Sequence, residues 1–304
     1  MVSSVMDTEA MAERSSHVFG ELRPLLFSIA YRMLGSVMDA EDVVQDAYLR
    51  WQDASDGDVR SPRAYLATVV TRLCINHLRS ARVQRETYVG PWLPEPLVTD
   101  PTTDPSGSVE LAESLSMAFL VLLERLSPTE RAVFLLHEVF DFEYAEIARI
   151  VDKSEGTCRQ LLSRAKKHVG SDRTRFDASP KQAERLMERF TKAAGAGDFE
   201  GLVAVLAEDI TLWPDGGGKA PGAALNPIHG ADSVARFIVG FTRRFVPQDR
   251  VVKAAEINGQ PGFISYLSGR PVAALVFDIR HDRIHTIYAI GNPDKLRTLP
   301  AESM

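Results

Sequence analysis

The chain has 304 residues, of which 45% are hydrophobic and 25% charged, and its formal net charge is −6. That length suits two or three globular domains. No apolar run approaches the roughly 18 residues of a membrane helix, so no membrane partner is expected. The N-terminal residues lack the apolar segment of a signal peptide, which predicts a cytoplasmic location. The negative balance argues against a uniformly basic nucleic-acid binder. Two cysteines are too few for a disulfide framework or a metal set.

Residues 17–86 are predicted to form a helical domain. Apolar residues recur at helical spacing over Leu22–Leu34, and Gly35-Ser36 then breaks the helix. A second amphipathic helix covers Asp39–Trp51, and Pro62 suits the first turn of a third.

Residues 87–108 are predicted to be a linker, because they hold five prolines and two glycines. Linkers seldom carry an aromatic and aliphatic pair such as Trp92-Leu93 without a surface to dock on. The sequence therefore favours docking of Trp92–Pro96, and a chance exposed apolar pair is the alternative.

A second helical domain is predicted over 109–171. Helices are expected at 109–126 and 128–139, followed by 142–151, a short turn and a basic helix at 155–169. Two helices joined by a short turn, with a basic second member, are typical of a helix-turn-helix.

Residues 180–298 are predicted to form an α+β domain, because helical patterns come first and strand patterns follow. The helices are expected at Ala183–Ala194, Leu202–Leu206 and Val234–Phe245. The strands, expected to form a curved antiparallel sheet, are Val251–Ile257, Gly262–Leu267, Val272–Ile279 and Ile284–Ile290.

The predicted second helix carries an acidic face. Asp42 and Asp46 lie four residues apart, where like charges cost an isolated helix about 0.2–0.5 kcal/mol that a basic partner would offset. The candidate protein-binding residues are Asp39, Glu41, Asp42, Gln45 and Asp46. On composition alone, a solvated acidic face is the favoured interpretation.

An arginine-rich segment follows, since residues 60–85 hold six arginines and no acid. Arginine binds phosphates and Asn can hydrogen-bond a base edge, so the segment predicts DNA binding. Its candidate residues are Arg72, Asn76, Arg79, Arg82 and Arg85. A solvated basic face is the alternative, and the absence of acids makes it less favoured.

The last helix of the helix-turn-helix is the candidate recognition helix. Base contacts come early on its outer face, where Arg159, Gln160 and Ser163 lie. The residues suited to phosphates are Arg164, Lys166 and Lys167. A helical hairpin that does not bind DNA is the alternative.

The stretches Asp39–Asp46 and Leu126–Phe134, with the helix-turn-helix after them, resemble the extracytoplasmic-function (ECF) sigma factors. The resemblance implies two all-α domains, sigma region 2 and region 4. It also implies binding to core RNA polymerase, at the β′ clamp helices and the β flap, and to promoter DNA, as −35 duplex and −10 single strand. By the same resemblance Arg72, Ile75 and Asn76 stand where the family reads the −10 element. Arg159, Gln160, Ser163 and Arg164 stand where it reads the −35 element.

The C-terminal part resembles the SnoaL-like group, which has the cone-shaped nuclear-transport-factor-2 fold. Three stretches are similar to the sigma subgroup with such a fused extension: Trp92, Leu93, Pro94, Glu95, Pro96; Asp215, Gly216, Gly217, Gly218, Lys219; and Asn292, Pro293, Asp294, Lys295, Leu296. The resemblance implies a regulatory interface that replaces a separate anti-sigma factor. Independently, three consecutive glycines let backbone approach a partner closely, although a loose hairpin loop is the alternative.

Two other functions stay open. SnoaL-like domains include isomerases and cyclases, and Trp213, His229, Asp278 and His285 are the residues that could line such a pocket, for catalysis or for sensing an unknown small molecule. No acid–base pair with recognisable spacing appears, so no enzyme, cofactor or metal is expected. A dimeric helix-turn-helix repressor with a sensor domain is the third hypothesis, and it needs neither the acidic face nor the arginine-rich segment.

Overall fold

A computed structural model gives the fold. It describes residues 2–54, 59, 61–99, 114–169 and 180–302, and their side chains except those of 2–14, 81–86 and 180. By internal contacts the chain divides into two compact units, Met1–Val83 with Leu122–Asp172 and Gln84–Val121 with Arg173–Met304. Over these described ranges, no helix has both the length and the apolarity that crossing a membrane requires.

The first unit begins with three helices, α1 (Val2–Leu34), α2 (Val37–Asp53) and α3 (Pro62–Glu86). Gly35 ends α1 with a φ of 67° and donates its N–H to the carbonyl of Tyr31 at 2.7 Å. Ser36 then caps α2 by accepting a hydrogen bond from the Asp39 N–H. The predicted break between these helices is therefore confirmed, and the capping explains it.

The second half of the chain's helical region holds α4 (Met117–Leu123), α5 (Pro128–Glu138), α6 (Tyr144–Val151) and α7 (Glu155–Val169). Asp152 adopts a left-handed conformation that ends α6, and the Ser154 hydroxyl accepts a hydrogen bond from the Thr157 N–H at the start of α7. The helix-turn-helix is confirmed. The helix expected over 109–126 is shorter than predicted, and residues 101–113 lie outside the described part.

Both cysteines are buried in the helical unit. Burial raises the pKa of the Cys74 and Cys158 thiols above the usual range. A thiol that stays protonated is a poor nucleophile, so both serve as small apolar groups in the core.

The second unit contains α8 (Pro180–Ala196), α9 (Phe199–Val203), α10 (Ala231–Phe245) and a sheet. The strands are β1 (Leu206–Asp215), β2 (Ile228–His229), β3 (Val251–Ile257), β4 (Gln260–Leu267), β5 (Arg270–Arg280) and β6 (Arg283–Ile290), in the order β2-β1-β6-β5-β4-β3. A 3₁₀ turn follows at Pro293–Leu296.

The four predicted strands are all present as β3 to β6. Two-residue turns with positive φ join them at Asn258-Gly259, Ser268-Gly269 and His281-Asp282. Such turns match the right-handed twist of the flanking strands. They require residue types that tolerate positive φ, and the positions of these residues fix how the two strands of each hairpin pair.

Two predictions for this unit are wrong. The helix expected at Leu202–Leu206 ends at Val203, and β1 begins at Leu206. The sheet is also mixed rather than antiparallel, because β1 pairs in parallel with β6. The partner of β1 lies about 75 residues away along the chain, and local patterning does not encode such a crossover.

Both faces of the sheet are covered. The helix face, which includes Phe263, Phe277 and Ile287, packs against α8, α9 and α10. The linker face, which includes Ile264, Tyr266 and Tyr288, packs against the linker residue Leu93 and against Met117 of α4. The linker thus contributes to the core of the second unit.

Gly262 of β4 should not tolerate a side chain. A Cβ there would lie 2.6 Å from the Leu275 carbonyl oxygen, so we expect Gly262→Ala to destabilise the protein by about 1–3 kcal/mol. Gly240→Ala in α10 is the matched control, because nothing lies within 4 Å of its Cβ position. This control should be neutral or stabilise by up to about 1 kcal/mol. Thermal unfolding followed by circular dichroism distinguishes the two, and equal melting temperatures would contradict the prediction.

Candidate functional site

The acidic face of α2 is open to solvent. Asp42, Gln45 and Asp46 are exposed, and neither carboxylate lies within ion-pair distance of a cation among the described side chains. Two other members are engaged, since Glu41 pairs with Arg23 and Asp39 lies 3.5 Å from His77.

Two apolar side chains lie on the same face of α2, and the sequence analysis missed both. Met38 is 43% exposed and Leu49 is 51% exposed. Their spacing from Asp42 and Asp46 is helical, so the four side chains form one stripe. Unpaired carboxylates flanked by exposed apolar groups are suited to a partner that presents both basic and apolar side chains.

Arg72 of α3 does not point freely into solvent. Its guanidinium donates to the carbonyls of Ile150 and Arg149, each at 2.9 Å, at the C-terminal end of α6. A cation there complements the helix dipole. Asn76 and Arg79 are exposed, whereas Ile75 is buried in the core. The side chains of Arg82 and Arg85 lie outside the described residues.

Other arginines join the same helical segments. The buried Arg131 of α5 donates to the Met33 carbonyl at 2.6 Å and pairs with Glu124 at 2.8 Å. Arg63 of α3 lies 4.7 Å from the centre of the Phe142 ring. Helices from both halves of the unit are therefore held together by cations on carbonyls and aromatic rings.

The recognition helix α7 presents its predicted residues outward. Gln160, Ser163, Arg164 and Lys167 are exposed. Two others are exposed but engaged within the unit: Arg159 pairs with Glu155 at 2.9 Å, and Lys166 pairs with Glu138 at 2.9 Å. The pair of Arg159 with Glu155 is exposed on both sides, and such pairs are weak, so Arg159 can exchange partners.

The linker docks on the second unit through a buried ion pair. Lys295 and Asp215 are both buried, with Nζ and Oδ2 2.7 Å apart. The Leu93 N–H donates to the same carboxylate at 2.8 Å, and Lys295 donates to the Leu93 carbonyl. The Lys295 ammonium also lies 4.1 Å from the centre of the Trp92 ring. One linker residue thus donates to the acid and accepts from the base.

Tyr88 completes this contact. Its hydroxyl donates to Asp215 and accepts from the Asn292 amide at 2.8 Å. Burial and the hydrogen bond to the Asp215 carboxylate raise the pKa of Tyr88 above its usual range, so its proton stays in place.

The glycine stretch is closely packed against the linker. Gly217 and Gly218 have φ values of 55° and 71°. A Cβ on Gly217 would lie 2.9 Å from the Tyr88 hydroxyl oxygen, and one on Gly218 would lie 3.2 Å from Val89 Cβ. The close backbone approach that the three glycines predicted is present, and a loose loop is excluded.

The linker extends this contact along the sheet. Val98 forms an antiparallel bridge with Ile257 of β3, and Asn258 donates its N–H to the Leu97 carbonyl at 2.7 Å. Further along, the Met117 N–H donates to the buried Gln260 side chain at 2.7 Å. The edge strand β3 is therefore partly covered by the chain's own linker.

Comparisons with known proteins match this arrangement. Residues 18–83 match the family "Sigma-70 region 2" and residues 116–169 match "Sigma-70, region 4". The ECF RNA polymerase sigma factor SigJ of Mycobacterium tuberculosis is 40% identical over 293 residues, covering 93% of each chain. The chain belongs to the ECF RNA polymerase sigma factor family.

Further relatives agree. The sigma factor SigG of M. tuberculosis is 31% identical and covers 95% of this chain and 86% of its own length. The crystal structure of SigJ, 38% identical, covers 94% of this chain and 100% of that chain with a TM-score of 0.73. The sigma regions and the fused C-terminal domain of this ECF sigma factor therefore both have a counterpart in a solved structure.

The four residues that the sequence offered as pocket lining in the C-terminal domain of this sigma factor do not line its cavity. A cavity of about 890 Å³ lies between the helices and the sheet, and none of Trp213, His229, Asp278 and His285 lines it. Trp213 packs on the linker face, His229 contacts Thr211 at 3.1 Å, Asp278 binds Arg280, and His285 lies 3.5 Å from Asp209.

Replacing Lys295 by Met should loosen the linker of this ECF sigma factor. The change leaves the Asp215 carboxylate buried without its cation, which costs about 3–5 kcal/mol. Lys219→Met is the matched control, because its pair with Asp294 is exposed and is worth less than about 1 kcal/mol. We expect the Lys295 variant alone to lower the urea midpoint and speed proteolysis within the linker. Equal urea midpoints and equal proteolysis rates of the two variants would contradict the role of Lys295 in holding the linker.

Proposed function

We propose that this sigma factor is the promoter-specificity subunit of RNA polymerase, working in the cytoplasm with the core enzyme. The observation that carries the proposal is the coexistence of an unpaired acidic and apolar stripe on α2 with an exposed basic recognition helix, α7. A simple repressor has no need for the first surface.

The stripe of α2 binds the β′ clamp helices of core polymerase in this proposal. Asp42 and Asp46 supply charge, and Met38 and Leu49 supply apolar contact. Charge complementarity speeds the encounter and fixes its register, while the apolar residues add affinity. Region 4 is proposed to bind the β flap, as the family resemblance implies.

Promoter recognition is assigned to two surfaces. Gln160, Ser163 and Arg164 of α7 reach the major groove of the −35 duplex. Asn76, with Arg72 once it leaves the α6 carbonyls, contacts the opened −10 strand. Phosphates and helix-end carbonyls are both acceptors, so the hydrogen bonds of Arg72 to α6 compete with DNA. The conformation described here is therefore proposed to be a restrained one.

The fused domain is proposed to regulate this step in place of a separate anti-sigma factor. It holds the linker through Asp215 and Lys295, which bind Tyr88 and Leu93 of the linker, and the linker joins region 2 to region 4. Docking fixes how much of the linker is free to span the two promoter elements, and undocking lengthens that reach.

A small-molecule role for the C-terminal domain is the second candidate function. The cavity of about 890 Å³ favours it, since ligand pockets commonly measure about 300–1,000 Å³. Binding is favoured over isomerase or cyclase chemistry, because the acid–base candidates of the sequence analysis do not line this cavity.

The substitution Asp46→Lys tests polymerase binding. Charge reversal places a cation against a basic partner and should weaken the affinity for core polymerase more than about tenfold, since about 1.4 kcal/mol is tenfold. Titration of labelled protein with core enzyme, read by fluorescence anisotropy, measures this. Glu208→Lys on β1, exposed and outside the helical unit, is the control. Unaltered binding by a folded Asp46→Lys variant would refute the assignment.

Removal of the residues after Asp172 tests regulation. The shortened chain lacks the surface on which the linker docks, so we expect its run-off transcription with core polymerase to differ at least twofold from that of the full chain. The Lys295→Met chain should shift in the same direction, and an Arg236→Met chain, which loses only an exposed ion pair on α10, should not shift. Identical yields from all four proteins would contradict a regulatory role.

A further inference from the structure

The cavity of the C-terminal unit has apolar walls. It lies between α8, α10 and the helix face of the sheet, and the rings of Phe190, Phe237, Phe241 and Phe263 are among its lining groups. Rings lining a partly open cavity favour a ligand with a sizeable apolar body, because binding removes apolar surface of both ligand and protein from water.

A cation lies among these apolar groups. Arg250 lines the cavity immediately before β3, and it lies on the same side as Val252, two residues on, which also lines it. The described residues place no carboxylate within ion-pair distance of its guanidinium. Partial burial lowers the pKa of Arg250. Burying a cation without a partner is unfavourable, so an anion at this position would be bound favourably.

A buried hydroxyl faces the same cavity. Ser265 of β4 is 1% exposed, lines the cavity and lies directly opposite Val252 in the strand register. Among the described residues, its hydroxyl makes no hydrogen bond. Buried hydroxyl groups are normally satisfied, so a ligand or a water molecule is the expected partner.

The remaining charged groups favour an anion over a cation. Asp215 lines one end of the cavity, but its carboxylate is neutralised by Lys295. Arg243 also lines the cavity, on its exposed side. The lining thus carries two arginines and one acid that is already paired.

We propose that this cavity binds an amphipathic organic acid, whose carboxylate pairs with Arg250 and hydrogen-bonds to Ser265 while its apolar body lies among the phenylalanine rings. A guanidinium binds a carboxylate through two parallel hydrogen bonds, which fixes the orientation of the ligand. This proposal deepens the second candidate function and rests on it. If the cavity bound no organic acid, the proposed binding to polymerase would still stand, because the titration with core enzyme tests it separately.

Calorimetric titration of the full chain with decanoate tests the proposal. Decanoate joins an apolar chain to one carboxylate, and decyltrimethylammonium has the same chain with a cationic head. We expect one decanoate per protein molecule and an affinity at least tenfold greater than that of the cationic analogue. Equal affinities would show that the charge of the cavity does not select the head group, and an absence of decanoate binding would overturn the proposal.

Substitutions at Arg250 and Ser265 locate the anchor. Arg250→Met keeps an apolar stem and removes the charge, so it should weaken decanoate binding at least tenfold, and Arg250→Lys should retain most of it. Arg244→Met, an exposed neighbour that does not line the cavity, is the control and should bind like the unchanged protein. Ser265→Ala should weaken decanoate binding severalfold. It tests the same site independently if an Arg250 variant does not fold. Unchanged affinity in folded Arg250→Met would overturn the assignment.

Discussion

The attachment of the linker depends on one buried ion pair, between Asp215 and Lys295. A charge taken out of water is tolerated only when its hydrogen-bonding capacity is met. The linker meets part of it, because the Leu93 N–H donates to the acid and the Leu93 carbonyl accepts from the base. Withdrawal of the linker would leave both groups short of partners until water replaced them. The linker and the ion pair therefore stabilise each other.

The helical unit also relies on cations that donate to backbone carbonyls. Arg72 and Arg131 donate to backbone carbonyls that a helix end or a turn leaves unsatisfied. A guanidinium is suited to such acceptors for the same reason that it is suited to phosphate oxygens, since its several N–H groups can donate to more than one oxygen at once. Arg72, which is proposed to contact DNA, thus holds α3 against α6 in this structure.

The sequence predicted the elements whose signals are local. The helix-turn-helix, the four strands β3 to β6 and their turns follow from periodicity and from residues that tolerate positive φ. The errors share a different cause. The parallel pairing of β1 with β6 and the bonds of Arg72 to α6 join residues about 75 positions apart. Both faces of the sheet are buried, so alternation along a strand did not tell which side holds the cavity. Trp213 therefore stayed among the candidates for the cavity lining, and Arg250 was missed because it precedes its strand.

Asp215 also connects the two features of the C-terminal unit. Its carboxylate holds the linker, and its backbone carbonyl accepts hydrogen bonds from Gly291 and Asn292 at 2.8 and 3.0 Å. Asp215 and Gly291 both line the cavity, and Asn292 reaches Tyr88 of the linker. A ligand in the cavity would therefore touch the backbone that positions the linker contact. Such a ligand shifts linker docking only by the difference in its affinity for the docked and undocked states, and docking shifts ligand affinity by the same factor. Under the proposed regulation, the path from ligand to linker would run through one residue, Asp215, and one hydrogen-bonded neighbour, Asn292.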